Sequence, residues 1–272
     1  MIDTVATAES NRELAPGYRL LTLKFTDNVA VLPGQFAMLK PRACFEPLLR
    51  RALAVYRAHD SCRLSFLYQV LGRGTEALAQ LKQDDEVDAL LPLGNSWPLQ
   101  VPNGTNAIVV AGGIGSASVL ALCEELKRAR IDTEIFFGAA SRGAADGCGL
   151  EDFRALGMPL TVTTIDGSLG QEGLVTTPLE DRLRKKADAH VIYACGPWAM
   201  MRAVAEMAAG FNVRCLVSLE APMGCGFGVC VGCVVAVKTE GPVAYDAYKR
   251  VCIDGSIFPA EMIRWEINAM TH

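Results

Sequence analysis

Along the first hundred residues, apolar positions come in short runs broken by turn residues. YRLLTLKF (18–25), QFAMLKP (35–41), RALAVYRA (51–58), RLSFLYQV (63–70) and EVDALLPLG (86–94) recur at a spacing that predicts antiparallel strands of a barrel. GTEALAQLK (74–82), behind a glycine-rich turn, predicts a helix among them. From residue 106 the period changes. NAIVVAGGIGSASVLALCEELKRAR passes from an apolar strand through glycines into an amphipathic helix, with Val119, Leu120, Cys123 and Leu126 on one face. TEIFFGAASR (133–142), LTVTTIDG (160–167), HVIYACGP (190–197) and VRCLVSLE (213–220) predict further strands, and WAMMRAVAEMAAG (198–210) a helix stopped by Gly210. Strands alternating with helices predict a parallel α/β sheet with right-handed connections. The C-terminal remainder is too short for a substantial core of its own and needs a metal, disulfides or a neighbour to dock on. The expected organisation is α/β plus β: an antiparallel barrel over 1–100, a parallel α/β domain over 101–214 and a small unit over 215–272.

The charge balance, 26 basic against 30 acidic residues in 272, gives −4 and argues against a general nucleic-acid binder. No apolar stretch reaches the roughly 20 residues of a membrane span. The start, MIDTVATAESNREL, lacks the basic and then apolar pattern of a signal peptide. A cytoplasmic protein is expected, and its ten cysteines are then not expected to pair in disulfides. Cys44, Cys62, Cys123, Cys148, Cys195 and Cys215 are scattered and read as small buried hydrophobes.

The other four cysteines are not scattered. Cys225-x4-Cys230-x2-Cys233, with Cys252 coming 18 residues later, has the spacing of a plant-type [2Fe–2S] site. Gly224, Gly226, Gly228 and Gly232 suit a tight loop whose N–H groups aim at sulfur. A four-thiolate zinc is the rival reading, although zinc sites usually show two C-x2-C knuckles and this chain has one; buried free thiols are the third. Gly112, Gly113 and Gly115 lie between a strand and a helix, where a pyrophosphate fits, but G-G-x-G is not the Rossmann fingerprint, and a βα turn that binds nothing is an equal reading. Gly72, Gly74 and Thr75 precede a helix and form either a second phosphate cradle or a plain turn capped by Thr75. Arg50 and Arg51 stand in an otherwise apolar strand, solvated or facing that cradle. Cys195 ends a parallel strand at the edge where open α/β sheets bind ligands; a buried structural thiol is the alternative.

Taken in order, Arg51-Ala52-Leu53-Ala54, Gly72–Thr75, Gly112–Gly115 and Cys195-Gly196-Pro197-Trp198-Ala199-Met200 resemble the motifs of the ferredoxin–NADP reductase superfamily. With SLEAPMGCGFGVCVGC (218–233) and YKRVCIDGSIFPAEMIRW (248–265), essentially the whole chain looks like the electron-transfer subunits of two-subunit, NAD-dependent dihydroorotate dehydrogenases. Related subunits of sulfide dehydrogenases and bifurcating transhydrogenases share the scaffold, but the bifurcating type has Asp where this chain has Cys225. The resemblance implies that the barrel binds FAD through Arg51, Ala52, Leu53, Ala54, Tyr68, Gln69, Val70, Gly74 and Thr75, with Arg51 and the Gly74–Thr75 turn on phosphate. It implies NAD at Gly112, Gly113 and Gly115, Cys195 near the nicotinamide–flavin contact, and a [2Fe–2S] cluster on Cys225, Cys230, Cys233 and Cys252. It implies a catalytic partner subunit carrying FMN, in a heterotetramer of two plus two, from which electrons pass singly through the cluster to FAD and in pairs to NAD⁺.

The chain departs from the family pattern at Ala52 and Ala54, where proline and serine are usual, and in Ser-Ala-Ser after Gly115, where prolines are frequent. Ser141 and Arg142 could hold a 2′-phosphate and leave NADP open. Two other classes remain: a self-contained NAD(P)H oxidoreductase reducing a diffusible carrier, and a zinc-stapled nucleotide sensor. His59, His190 and His272 sit in no readable motif.

Overall fold

The first sheet is built from β1 (Ile2–Ala15), β2 (Tyr18–Phe25), β3 (Phe36–Pro41), β4 (Arg51–Ala54), β5 (Arg57–Ala58), β6 (Arg63–Gln69) and β7 (Glu86–Leu93), with α1 (Arg73–Ala79) between the last two. The computed structural model describes residues 1–43, 45–99, 101, 106–185, 189–239 and 247–267, so Cys44 and His272 lie outside the described residues. The strand order is β4-β3-β7-β1-β2-β6-β5, antiparallel throughout. Its two edges come from consecutive strands, so the sheet curls into a half-barrel. The segment 51–58, expected as one strand, is two. At Val55 and Tyr56 the chain leaves β3 for β6, and their N–H groups donate to Gln35 O (3.0 Å) and Ser65 O (2.9 Å). Alternate residues such as Leu21, Leu23, Leu64 and Phe66 turn inward and are fully buried, as the period of two requires. β1, fourteen residues long, was not legible in the pattern because Glu9, Ser10, Asn11, Arg12 and Glu13 interrupt its alternation.

The second sheet contains β8 (Asn106–Gly112), β9 (Thr133–Ala139), β10 (Leu160–Thr164), β11 (Gln171–Glu172), β12 (Ala189–Cys195) and β13 (Arg214–Ser218). Helices α2 (Ser116–Arg128), α3 (Arg142–Gly147), α4 (Leu150–Ala155), α5 (Thr176–Lys185) and α6 (Trp198–Gly210) connect them. A last strand from the C-terminal region, β16 (Ile257–Pro259), completes the order β11-β10-β9-β8-β12-β13-β16, parallel except for that member. α2 buries the expected face, Val119, Leu120, Cys123 and Leu126 all at 0% exposure. α3 and α4, six residues each, carry too few turns to show a period.

The C-terminal residues hold a hairpin, β14 (Val234–Ala236) and β15 (Tyr248–Arg250), and then β16, which pairs antiparallel with β13 at the edge of the second sheet. Val235, Val251, Phe258 and Ile263 share one apolar cluster with Phe36 and Met38 of the half-barrel and with Val204 and Ala208 of α6. The short region is stabilised by docking against both larger units, each fully buried aliphatic side chain contributing about 1.5–3 kcal/mol relative to exposure.

Candidate functional site

Two cavities lie side by side at the carboxyl ends of the parallel strands. The smaller, about 240 Å³, is bounded on the half-barrel side by Ala52, Leu53, Ala54, Tyr68, Gln69 and Thr75 and opposite by Ser118, Ser218, Glu220, Met223 and Ser256. The larger, about 550 Å³, runs from Gly112–Gly115 and Gly196–Met201 to Ala140, Thr163, Ile165 and Leu174. Gln69, Ile114, Glu220 and Ala221 line both and form the wall between them.

Six of the nine residues expected to hold FAD therefore converge on one cavity. Arg51 and Gly74 stand beside it: a Cβ on Gly74 would collide with the Arg51 guanidinium, so the glycine makes room for that side chain. Val70 packs at the edge of the half-barrel core instead. Thr75 is not a cap residue before the helix but lies within the first turn of α1. Its hydroxyl accepts from Leu71 N (2.9 Å) and Gly72 N (3.2 Å) and donates to Gly72 O (2.9 Å), which fixes the turn. Tyr68 is buried, and its hydroxyl donates to Asn11 Oδ1 at 3.2 Å. Burial pushes its pKa up to about 12.

The three glycines expected to cradle a pyrophosphate divide by role. Gly113 has φ +53° with open space where a Cβ would point, and it lines the larger cavity just before α2. A Cβ on Gly115 would stand 2.5 Å from the carbonyl carbon and oxygen of Cys195, and one on Gly112 would stand 2.9 Å from Pro197 Cδ. These two glycines let the β8 and β12 turns touch. The Cys195 thiol does not reach either cavity surface. It is 1% exposed, and burial, followed by the Glu220 carboxylate, pushes its pKa up to about 12. It lies beside Ser118 and Ser218, both on the wall of the smaller cavity. Ser118 Oγ donates to Ser218 Oγ at 3.1 Å, so buried hydroxyls gather in a site whose strand carries Ala54 in place of a serine.

The clustered cysteines come together as two facing pairs. Cys230 N–H donates to Cys225 Sγ at 3.4 Å. Cys252 and Cys233 form the second pair, both 1% exposed. Desolvation opposes the Cys225 thiolate, yet N–H donors from Cys230, Phe227 and Val229 outweigh it and lower the pKa to about 6. Burial and then the Cys233 thiol push Cys252 up to about 12. Among the described residues no three His, Cys, Asp or Glu side chains converge as a single-ion site. Two pairs suit a binuclear cluster, which takes two thiolates on each iron. Gly226, at φ +82°, brings the loop onto the half-barrel: a Cβ there would meet Met38 Sδ at 2.9 Å. Met223, two residues before Cys225, lines the smaller cavity, so the thiol loop abuts that cavity directly. Phe227 (43% exposed), Val229 (73%) and Val231 (40%) face outward rather than packing against the half-barrel.

Glu220 and the serines were missed by motif reading. Glu220 ends the strand predicted over 213–220 and follows the observed β13 at its carboxyl end, the same signal that singled out Cys195. A clasp between the half-barrel and the parallel sheet was missed as well: Tyr56 Oη donates to Asp152 Oδ2 (2.7 Å), and Arg57 bonds Glu124 (2.7 Å) and Asp152 (3.0 Å). His59 Nε2 lies 2.7 Å from Ser65 Oγ, and burial lowers its pKa, so it reads as a structural residue away from both cavities. No helix among the described residues is long and apolar enough to cross a membrane.

Residues 220–264 match the family model described as the iron-sulfur cluster binding domain of dihydroorotate dehydrogenase B. Over 238 residues the chain is 34% identical to the dihydroorotate dehydrogenase B (NAD(+)) electron transfer subunit of Desulforamulus reducens, covering 86% of this chain and 87% of that protein. The subunit of the same name from Bacillus caldolyticus is 40% identical over 230 residues, covering 84% and 85%. Among solved structures, the NADH-dependent reduced ferredoxin–NADP oxidoreductase, described in terms of flavin-based electron bifurcation, superposes with a TM-score of 0.81 at 26% identity, covering 96% of this chain and 90% of that one. A ferredoxin NADP⁺ reductase from Neisseria gonorrhoeae shares the fold, with a TM-score of 0.64 at 15% identity over 77% of this chain and 92% of that one.

Proposed function

The chain belongs to the family of dihydroorotate dehydrogenase B electron-transfer subunits, and on that premise we propose that it is an oxidoreductase subunit linking a dihydroorotate-oxidising partner to NAD⁺ through a [2Fe–2S] cluster and FAD. The observation that carries the reading is the adjacency of three sites: a thiol loop abutting one cavity at Met223, and that cavity sharing a wall with a second. Bound FAD supplies the exchange between one-electron and two-electron carriers, chemistry that belongs to the cofactor.

The chain's own residues bind and orient. Arg51, seated over Gly74, offers a charge-assisted contact to FAD phosphate, with the α1 turn beside it. Ala52, Leu53, Ala54, Tyr68 and Gln69 enclose the flavin, and the Ser118 and Ser218 hydroxyls stand where Ala54 gives none. Gly113 presents backbone to the dinucleotide's pyrophosphate at the start of α2, a helix long enough to carry a dipole. Cys195 is then a positioning residue: its buried thiol lies behind the serines and its carbonyl abuts Gly115. Cys225, Cys230, Cys233 and Cys252 ligate the cluster, and the N–H groups that favour a thiolate at Cys225 favour the anionic cluster in the same way. Ser141 Oγ caps α3, accepting from Ala144 N at 3.3 Å, and Arg142 donates to Ser168 O at 3.2 Å. Asp166, its pKa lowered by the Ser168 hydroxyl, adds negative charge at that end, which supports NAD over NADP.

The units over 1–100, 101–214 and 215–272 correspond in this reading to FAD, NAD and cluster. The outward Phe227, Val229 and Val231 support a contact with the FMN-bearing subunit, in a cytoplasmic heterotetramer of two plus two. The test is co-purification with mass identification of the partner, FAD, iron and acid-labile sulfide content, and dihydroorotate-to-NAD⁺ turnover. Turnover should require both subunits. Turnover by this chain alone, or zinc at one per chain without iron, would overturn the reading. Arg51→Ala should weaken FAD binding tenfold or more, from the loss of roughly 1.5–3 kcal/mol; an unchanged dissociation constant removes Arg51 from the site.

A further inference from the structure

Thr163 lies near the carboxyl end of β10, where it pairs with Gly138 of β9 on one side and Gln171 of the edge strand β11 on the other. It is 1% exposed. Among the described residues its Oγ1 is the buried side-chain polar atom without a hydrogen-bond partner. Its neighbour Thr164 is fully engaged, donating to Leu169 O at 2.9 Å and accepting from Leu169 N at 3.0 Å. Thr163 itself lines the larger cavity with Gly138 and Val175. A Cβ built on Gly138 would come within 3.4 Å of its hydroxyl, so the glycine leaves room beside the hydroxyl. Burying a hydroxyl unpaired costs free energy, and such an atom on a cavity wall marks the place of a ligand's polar atom.

The layout of the cavity says which part of a ligand that is. The wall shared with the flavin cavity, at Gln69, Ile114, Glu220 and Ala221, must receive the redox-active ring. Gly113, at the start of α2, lies next along the cavity. The far end holds Thr163, with Ile165 (53% exposed) and Leu174 (61% exposed) as aliphatic walls open to a planar base. Resting on the dinucleotide reading of this cavity, we propose that the Thr163 hydroxyl hydrogen-bonds the adenosine half of the nicotinamide dinucleotide and supplies part of the affinity for that half.

The test uses the oxidised holoprotein, loaded with FAD and cluster, and isothermal titration with NAD⁺, ADP-ribose and nicotinamide mononucleotide. Thr163→Val keeps the shape and removes the hydroxyl. It should weaken NAD⁺ and ADP-ribose by about tenfold, leave nicotinamide mononucleotide unchanged, and leave the melting temperature of the ligand-free holoprotein equal or higher, because an unpaired buried hydroxyl has been removed. Thr163→Ser should bind like wild type. Unchanged ADP-ribose binding by Thr163→Val overturns the assignment, as does equal weakening of nicotinamide mononucleotide or a fall in melting temperature without loss of affinity. If the wild-type protein binds neither NAD⁺ nor ADP-ribose, the dinucleotide reading itself falls; if wild type binds both and Thr163→Val does too, only the Thr163 assignment falls.

Discussion

The parallel sheet and the thiol loop use the same two residue types in opposite ways. In the sheet and the helix packed on it, Cys195, Cys215 and Cys123 are buried, and burial raises each pKa well above that of a free thiol. Gly112 and Gly115 are there to let two turns touch. In the loop, Cys225 faces a ring of N–H groups that lower its pKa to about 6, and Gly226 takes up a left-handed conformation so that the loop can wrap. The difference teaches that a thiol's chemistry is set by what surrounds it. An apolar sheet keeps the proton on, and a loop that turns its amides inward takes it off.

The strongest way to break that comparison is to exchange a single sulfur for oxygen on each side. Cys252→Ser should lose most of its iron and acid-labile sulfide and the paramagnetic resonance of the reduced cluster, while Cys148→Ser retains all three. Equal loss in both would mean that the loop is no more a ligand set than the thiols buried around the sheet, Cys148 after α3 among them. The glycines give the next largest effect. Gly115→Ala places a methyl against the Cys195 carbonyl and should cost about 1–3 kcal/mol by chemical denaturation. Gly143→Ala in α3, where the nearest atom to a Cβ is Ser141 Oγ at 4.0 Å, should be neutral or stabilising by up to about 1 kcal/mol. If the two variants melt alike, close apposition is not why Gly115 is a glycine.

Exposed apolar side chains separate the regions further. Phe227→Glu should lower dihydroorotate-to-NAD⁺ turnover of the complex by about tenfold while NADH-to-ferricyanide activity of this chain stays near wild type. Assembly by size-exclusion chromatography and turnover both at wild-type levels would put the partner elsewhere. The smallest effect concerns the clasp joining half-barrel to sheet. Arg57→Leu leaves Asp152 and Glu124 without their guanidinium, but all three are about a quarter to a third exposed, so solvent screening limits the loss to about 1 kcal/mol. Binding of FAD should remain, with a modest fall in the melting temperature; a loss of several kcal/mol would show the clasp to be a buried pair in effect.

The sequence by itself determined the elements with a clean period and the motifs with a fixed spacing. Tyr18–Phe25 and Trp198–Gly210 occur where the pattern ends them, because alternation and a 3.6-residue stripe are local properties of the chain. The four cysteine ligands were legible for the same reason, since three of them lie within nine residues on one loop. Tertiary structure alone decided what each glycine and thiol does. A Cβ on Gly113 would meet open space and one on Gly115 would not, though a single residue separates them, because Cys195 of a distant strand occupies the space beside one. β1 exists because β7 and β2 pair with it on either side, and β16 because the edge at β13 was open; neither advertises itself by period. The shared wall of Gln69, Ile114, Glu220 and Ala221 joins residues from three stretches of chain. Contacts of that kind depend on which surfaces the fold brings together, and spacing along one strand or helix carries no record of them.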